Sequence, residues 1–213
     1  MIFPESFPIF YSLGLVILFS STIFFWRFFV FKRKLLLSLY SLPSIVVLGT
    51  RRSGKSSFIK VLTSSQIVSH PVQNGLNFST LTIGNQKIQL IEVPHFANGA
   101  TNHLRKFREM KLIGGFYLFD VSKESDPPES QLENYEKIKE FFSNIPLIPI
   151  ANKMDIADRE KLEKIKSRFK EIHEIQLTGE LDKMKQDLLK KEAEDLKQLI
   201  YNITREIETE RKI

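Results

Sequence analysis

The chain has 213 residues, a formal net charge of +6, 42% hydrophobic residues and no cysteine. Its length sets one domain plus an appendage, with apolar content sufficient for a core. Missing thiols exclude disulfides, thiolate metal sites, cysteine nucleophiles and prenyl or palmitoyl anchors, and Ile2, where glycine is required, excludes myristoylation. From the N-terminus, residues 1–8 carry Glu5 as their one charged side chain and form a short extracytoplasmic segment. Residues 9–31 read as a membrane-spanning signal anchor: the run is apolar apart from Arg27, and about 20 such residues cross a hydrocarbon core. Tyr11 and Trp26 stand near its two ends, where amphipathic rings favour the interface. A cleaved signal peptide fits less well, because the first residues carry no positive charge and no small-residue cleavage site follows. Lys32, Arg33 and Lys34 open a basic juxtamembrane linker, 32–43, and place the remainder in the cytoplasm by the positive-inside rule.

Ser44 to Leu48 is a short β-branched run that reads as a buried strand. Directly after it, Gly49-Thr50-Arg51-Arg52-Ser53-Gly54-Lys55-Ser56 fits the phosphate-loop pattern, and the residues from Ser57 onward can begin a helix. Strand, glycine loop and helix is the context in which backbone N–H groups and a helix N-terminus cradle phosphate oxygens. In that arrangement Lys55 reaches the β- and γ-phosphates and the Ser56 hydroxyl binds Mg²⁺. Gln66 to Asn77 is polar and reads as irregular. Leu76 to Ile83 and Gln86 to Val93 alternate around Gly84-Asn85, a β-hairpin pattern. A loop from Pro94 to Thr101 and a basic helical piece from Asn102 to Lys111 precede a buried strand, Gly114–Asp120. Asp126-Pro127-Pro128 reads as the cap of a helix carrying Leu132, Tyr135, Ile138 and Phe142 at helical spacing. A strand from Pro146 to Ala151, a charged helix from about Ala157 to Lys170, a short strand at Glu174–Leu177 and a long amphipathic helix from Leu181 to Ile207 complete the pattern. A coiled-coil partner is an alternative for that last helix, whose heptads are irregular. Strands alternating with helices predict an α/β fold, a mostly parallel sheet with one antiparallel hairpin and helices on both faces.

Asn152-Lys153-Met154-Asp155 follows directly on a strand end. A carboxylate at Asp155 can accept both the N1 and N2 hydrogens of guanine, a donor pair that adenine lacks. Alone the four letters are a weak match; after a phosphate loop, at the C-terminal end of a later strand, they become specific. Together the two motifs resemble the Ras-like GTPase superfamily over 44–202, leaving 203–213 as a charged helical tail. The resemblance implies binding of GTP or GDP with Mg²⁺ through Gly49, Thr50, Arg51, Arg52, Ser53, Gly54, Lys55, Ser56 and Ser57, with Asn152, Lys153 and Asp155 at the base. Thr178-Gly179 resembles the small-residue loop beside the base, and Glu92 stands where a Mg²⁺-bound water is held.

Within the superfamily, Gly75-Leu76-Asn77 and the ungapped stretch to Glu92 resemble the Arf-like branch. An N-terminal anchor on that domain is similar to the signal recognition particle receptor beta subunit, as are Val93-Pro94-His95, the loop Ile150 to Ala157 and Leu104-Arg105-Lys106-Phe107. That resemblance implies an endoplasmic reticulum membrane, a single pass through the bilayer, and a soluble receptor alpha-like subunit as partner. Two alternatives stand beside it: an Arf-like trafficking switch, and a scaffold that no longer turns nucleotide over. The sequence departs from the family where the γ-phosphate is sensed. Gln73 occupies the position of the Mg²⁺-ligating threonine, Glu92 replaces an aspartate, and Phe96 stands where a glutamine orients water. Hydrolysis by the chain alone is therefore expected to be very slow, with no catalytic residue assigned. His70, His95, His103 and His173 show no metal-ligand spacing, and without a basic patch interleaved with aromatics no direct nucleic-acid binding is expected.

Overall fold

The computed structural model describes residues 18–30, 41–63, 70–73, 76–93, 107, 110–176, 191, 193–202 and 204–205. The chain divides into two units, Met1–Ser41 and Leu42–Ile213. In the first, residues 18–30 form a helix whose large apolar side chains, Phe24, Phe25 and Trp26 among them, are exposed. At 1.5 Å per residue this helix is about 20 Å long, short of a hydrocarbon core of about 30 Å. Among the described residues no helix is long and apolar enough to cross a membrane. The anchor expected over 9–31 is thus represented only by 18–30, and residues 9–17 and 31 lie outside the described ones.

The second unit is built on a seven-stranded sheet. Its elements run β1 Ser44–Gly49, α1 Lys55–Leu62, β2 His70–Gln73, β3 Leu76–Ile83, β4 Gln86–Glu92, β5 Leu112–Asp120, α2 Pro128–Phe141, β6 Leu147–Asn152, a 3-10 turn Met154–Ile156, α3 Arg159–Lys166 and β7 His173–Ile175. The strand order is β2-β3-β4-β1-β5-β6-β7. Strands β4, β1, β5, β6 and β7 run parallel, while β2–β3 and β3–β4 are antiparallel. The hairpin turns in two residues, with Ile83 opposite Gln86 and Gly84 at φ 57. Positive φ at the first central position alone is the type II′ pattern, which favours glycine there. From β1 the chain moves to one side of the sheet for β4 and to the other for β5. Such a reversal opens a crevice at the C-terminal strand ends, where ligands of open α/β sheets bind.

Alternation along β5 separates two cores. Phe116 and Leu118 join Ile45, Val47, Phe58, Leu62 and Leu90 on one face, with Leu196 and Ile200 from the helical residues 193–202. Phe58 meets Phe116 edge-on at 5.3 Å between ring centroids. On the other face Tyr117 and Phe119 pack on Tyr135 of α2, and Phe119 and Tyr135 both pack on Phe169 beyond α3. Gly115 permits the close approach of neighbours: a Cβ there would lie 2.8 Å from Val46 Cγ2 and 2.9 Å from Leu147 Cδ1.

Two local expectations change. His70–Gln73, read as irregular, pairs as an edge strand with β3, because backbone pairing to an existing hairpin overrides weak local propensity. The Asp126 side chain does not cap α2. Pro127 holds the cap position without a side-chain bond. Gln131 organises that end instead, giving Nε2–H to the carbonyls of Asp120 (2.9 Å) and Asp126 (2.8 Å) and accepting the Asp120 N–H at 2.9 Å. The expected loop 94–101 and most of the basic piece 102–111 lie outside the described residues, as does much of the C-terminal helix.

Candidate functional site

The phosphate loop closes between β1 and α1 because two positions admit only glycine. Gly49 (φ 145) would place a Cβ 2.5 Å from the Leu118 carbonyl, and Gly54 (φ 90) would place one 2.2 Å from Asn152 Nδ2. Arg52 also takes positive φ, 63°, a conformation that L-residues adopt at a cost of about 1–2 kcal/mol. Lys55 is buried, and its ammonium crosses the loop to donate to the carbonyls of Thr50 (2.6 Å) and Gly49 (3.1 Å). Burial holds its pKa below the ordinary lysine value, with the Glu92 carboxylate acting in the opposite sense. Thr50 and Ser53 are buried behind the loop, their hydroxyls without a hydrogen-bond partner; Arg51, Arg52, Ser56 and Ser57 are exposed.

Ser56 Oγ donates to Glu92 Oε1 at 2.5 Å, and Asn77 Nδ2 donates to Glu92 Oε2 at 3.0 Å. Asn77 and Glu92 face each other directly across β3 and β4, so the hairpin register itself aims the carboxylate at Ser56. No group of three or more His, Cys, Asp or Glu side chains able to hold a metal occurs among the described residues. Mg²⁺, however, is usually held by one or two protein oxygens together with phosphates. The adjacent Ser56 hydroxyl and Glu92 carboxylate fit that donor set. Glu92, expected to act through water, lies in direct contact with the Ser56 hydroxyl.

At the other side of the crevice Asn152 is fully buried at the end of β6 and gives Nδ2–H to the Ser53 carbonyl at 2.8 Å. Its Oδ1 accepts the Lys153 N–H at 2.8 Å. Lys153 has φ 69, and its ammonium pairs at 2.5 Å with Asp120, which ends β5. Asp155 follows within the 3-10 turn with its side chain exposed. A cleft of about 520 Å³ lies between the two motifs, lined by Arg51, Arg52, Asp120, Ser122, Lys123 and Lys153 among others. The structure therefore gathers the residues from Gly49 to Ser57 with Glu92, Asn152, Lys153 and Asp155 at one end of the sheet. Thr178 and Gly179 lie outside the described residues, as do His95 and Phe96. Gln73 is described through its backbone, at the end of β2.

Two residues of this end escaped the sequence reading, Asp120 and Gln131, and Asn77 entered it only as part of Gly75-Leu76-Asn77, with no partner assigned. Asp120 carried a signal, a lone carboxylate closing the apolar run Gly115 to Phe119; Gln131 looks like an ordinary surface polar residue until its contacts are known.

No protein-family model matches the chain. It is 29% identical over 133 residues to nucleolar GTP-binding protein 1 of Drosophila melanogaster, covering 56% of this chain and 20% of that protein. It is 25% identical over 146 residues to the GTPase Obg of Thermosipho africanus, covering 62% of this chain and 33% of that protein. The chain thus spans a fifth to a third of the curated relatives it matches. Among solved structures, a Plasmodium falciparum protein described as nucleolar GTP-binding protein 1 superposes with a TM-score of 0.55 at 18% identity, over 81% of this chain and 94% of that one. The fold is an α/β fold with a mostly parallel sheet, of the kind that P-loop GTPases share. These relatives are GTP-binding proteins other than the receptor subunit that the sequence resembles, so the comparisons support the resemblance at the superfamily level and not at that finer one.

Proposed function

We propose that this chain binds GTP or GDP with Mg²⁺ at the C-terminal ends of β1, β4, β5 and β6. The observation that carries the reading is the hydrogen bond from Asn152 to the Ser53 carbonyl, which locks the base motif onto the phosphate loop. Lys55 meets the phosphates from the place where it now bridges two loop carbonyls. Ser56 and Glu92 supply oxygens to the cation, whose bound charge offsets that of the phosphates. Asp155 accepts the two hydrogens that guanine offers. Competition binding tests this: GTP or GDP should bind at least ~100-fold tighter than ATP, since each 1.4 kcal/mol is about tenfold. Equal competition by ATP, or guanine affinity unchanged in Asp155→Ala, would sink it.

In this reading nucleotide is a structural ligand rather than a fuel. By their sequence positions Phe96 offers no water-orienting group and Gln73 no Mg²⁺-ligating hydroxyl, so single-turnover hydrolysis should not exceed ~10⁻⁴ s⁻¹, the scale of an unassisted GTPase. A ligand at a thousandfold excess over Kd contributes about 4 kcal/mol to the state it binds, enough to order neighbouring loops. For partner and place, the sequence resemblance supports a receptor subunit held at the endoplasmic reticulum membrane through 9–31, with its nucleotide domain in the cytoplasm, which docks a soluble receptor alpha-like subunit when GTP is bound. The likeness to nucleolar GTP-binding protein 1 and Obg supports a second reading, a GTPase of that kind. Pull-downs with GTP- and GDP-loaded chain separate the two, because the first requires GTP-dependent recovery of a soluble receptor alpha-like subunit.

A further inference from the structure

Resting on that nucleotide reading, we propose that Asp120 sets base selectivity without touching the base: it holds the Lys153 ammonium, and through it the left-handed turn that presents Asp155. Asp120 is 1% exposed, yet it is a carboxylate ending an apolar strand. Oδ1 accepts the Ser122 N–H at 3.0 Å and the Ser122 hydroxyl at 2.6 Å, leaving Oδ2 to the Lys153 ammonium at 2.5 Å. A buried carboxylate is retained where its lone pairs are filled, and here every filled position orients it toward Lys153.

Lys153 needs holding. Its φ of 69 lies where bulky L-residues seldom rest, and such outliers persist when surrounding contacts over-determine them. Its N–H is taken by Asn152 Oδ1 and its carbonyl by the Ile156 N–H at 3.1 Å, which closes the turn carrying Asp155. Both feet of this turn are stitched to the exit of β5. Val121 N–H donates to the Asn152 carbonyl at 3.2 Å, Asp158 N–H donates to the Val121 carbonyl at 2.8 Å, and Ser122 bridges Ala157. Lys161 secures the same exit from beneath, donating to the Ser122 carbonyl at 2.8 Å and the Ser125 hydroxyl at 2.7 Å. With the feet fixed, the direction of the Asp155 carboxylate follows the Lys153 backbone, and the Asp120–Lys153 pair is its side-chain tether. Losing that tether lets Lys153 relax and turns Asp155 away from the base. It leaves Gly49 to Ser56, which contains none of these atoms, in place. Selectivity among bases should fall while affinity for the shared ribose and phosphates should not.

The test measures GDP, IDP and ADP binding to the full chain and to Asp120→Asn, Lys153→Met and the double variant. In Asp120→Asn the GDP-to-ADP affinity ratio should drop at least about tenfold, with ADP affinity within about threefold of the parent. The GDP-to-IDP ratio should fall with it, since inosine lacks the exocyclic amine that Asp155 accepts. The double variant should be no less selective than either single one, the signature of two groups acting through one contact. A preserved ratio accompanied only by a lower melting temperature would overturn the proposal and leave Asp120 a structural residue. If Asp120→Asn does not fold, Lys153→Met decides alone: that side chain is 20% exposed, and a retained ratio there overturns the coupling. A parent chain that binds GDP and ADP equally, or neither, fails the nucleotide reading itself, a result visible before any variant is made.

Discussion

Asn152→Ala is the substitution that most directly strikes the link between the two motifs. The side chain is fully buried and spans two partners, the Ser53 carbonyl and the Lys153 N–H, each at 2.8 Å. Truncation leaves both without that partner, at about 1–3 kcal/mol for each buried group left unpaired, so the total expected loss is about 2–6 kcal/mol. It also opens space beside Gly54, whose backbone now fits against the amide with no room for a Cβ. A domain of this size loses roughly 2–4 °C per kcal/mol, so the melting temperature without nucleotide should fall by about 4–24 °C. The loss should persist with GDP bound, because the broken contacts are protein–protein ones. Scanning calorimetry with and without GDP reads both numbers. A change under 1 °C would refute the reasoning, because the amide would then be replaceable by solvent and the motifs independent.

Glu92→Gln should lower the Mg²⁺-dependent gain in GDP affinity about tenfold or more, the usual scale for residues that orient a metal ligand, as read by nucleotide titrations at low and high Mg²⁺. Gly115→Ala should cost about 1–3 kcal/mol in urea unfolding, since its new methyl meets Val46 and Leu147 inside 3.0 Å. Burial, with the Asp126 charge in second place, holds the Tyr117 hydroxyl well above the ordinary tyrosine range. The folded state therefore keeps a proton that the unfolded chain releases near pH 10: stability is full below that pH and falls as pH rises past it. Tyr117→Phe should flatten this alkaline fall at a cost of about 1 kcal/mol near neutrality, because the Gln131 carbonyl loses its donor; urea midpoints across pH 8–11 measure both.

The motifs and the α/β class were legible because they are local. Glycines at fixed offsets after an apolar run demand a particular backbone, and Gly49 and Gly54 adopt it. The paired carboxamide and ammonium of Asn152 and Lys153 were legible as a motif, but not as a clamp, because Ser53 and Asp120 stand 99 and 33 positions away. The edge strand His70–Gln73 was illegible for a similar reason: its polar composition carries no strand signal, and only a neighbouring hairpin gives it a partner. At α2 the familiar Asp-Pro start pointed to a side-chain cap, whereas a buried glutamine one turn later supplies the bonds. Short polar side chains compete for the same backbone groups, and tertiary packing chooses among them.

The two-residue turn at Gly84–Asn85 has a reach greater than its size. Six residue pairs separate it from the Asn77–Glu92 pair, about 20 Å along a strand. Because the hairpin has no slack, the turn acts as a length standard for the Ser56–Glu92 contact at the opposite end. One inserted residue there would slide β3 against β4 and flip every side chain of the slipped strand to the other face. Glu92 would lose Asn77, and Ser56 would face a carboxylate with nothing to hold it still. The chemistry of this end of the molecule is thus gauged by a bend at its far edge.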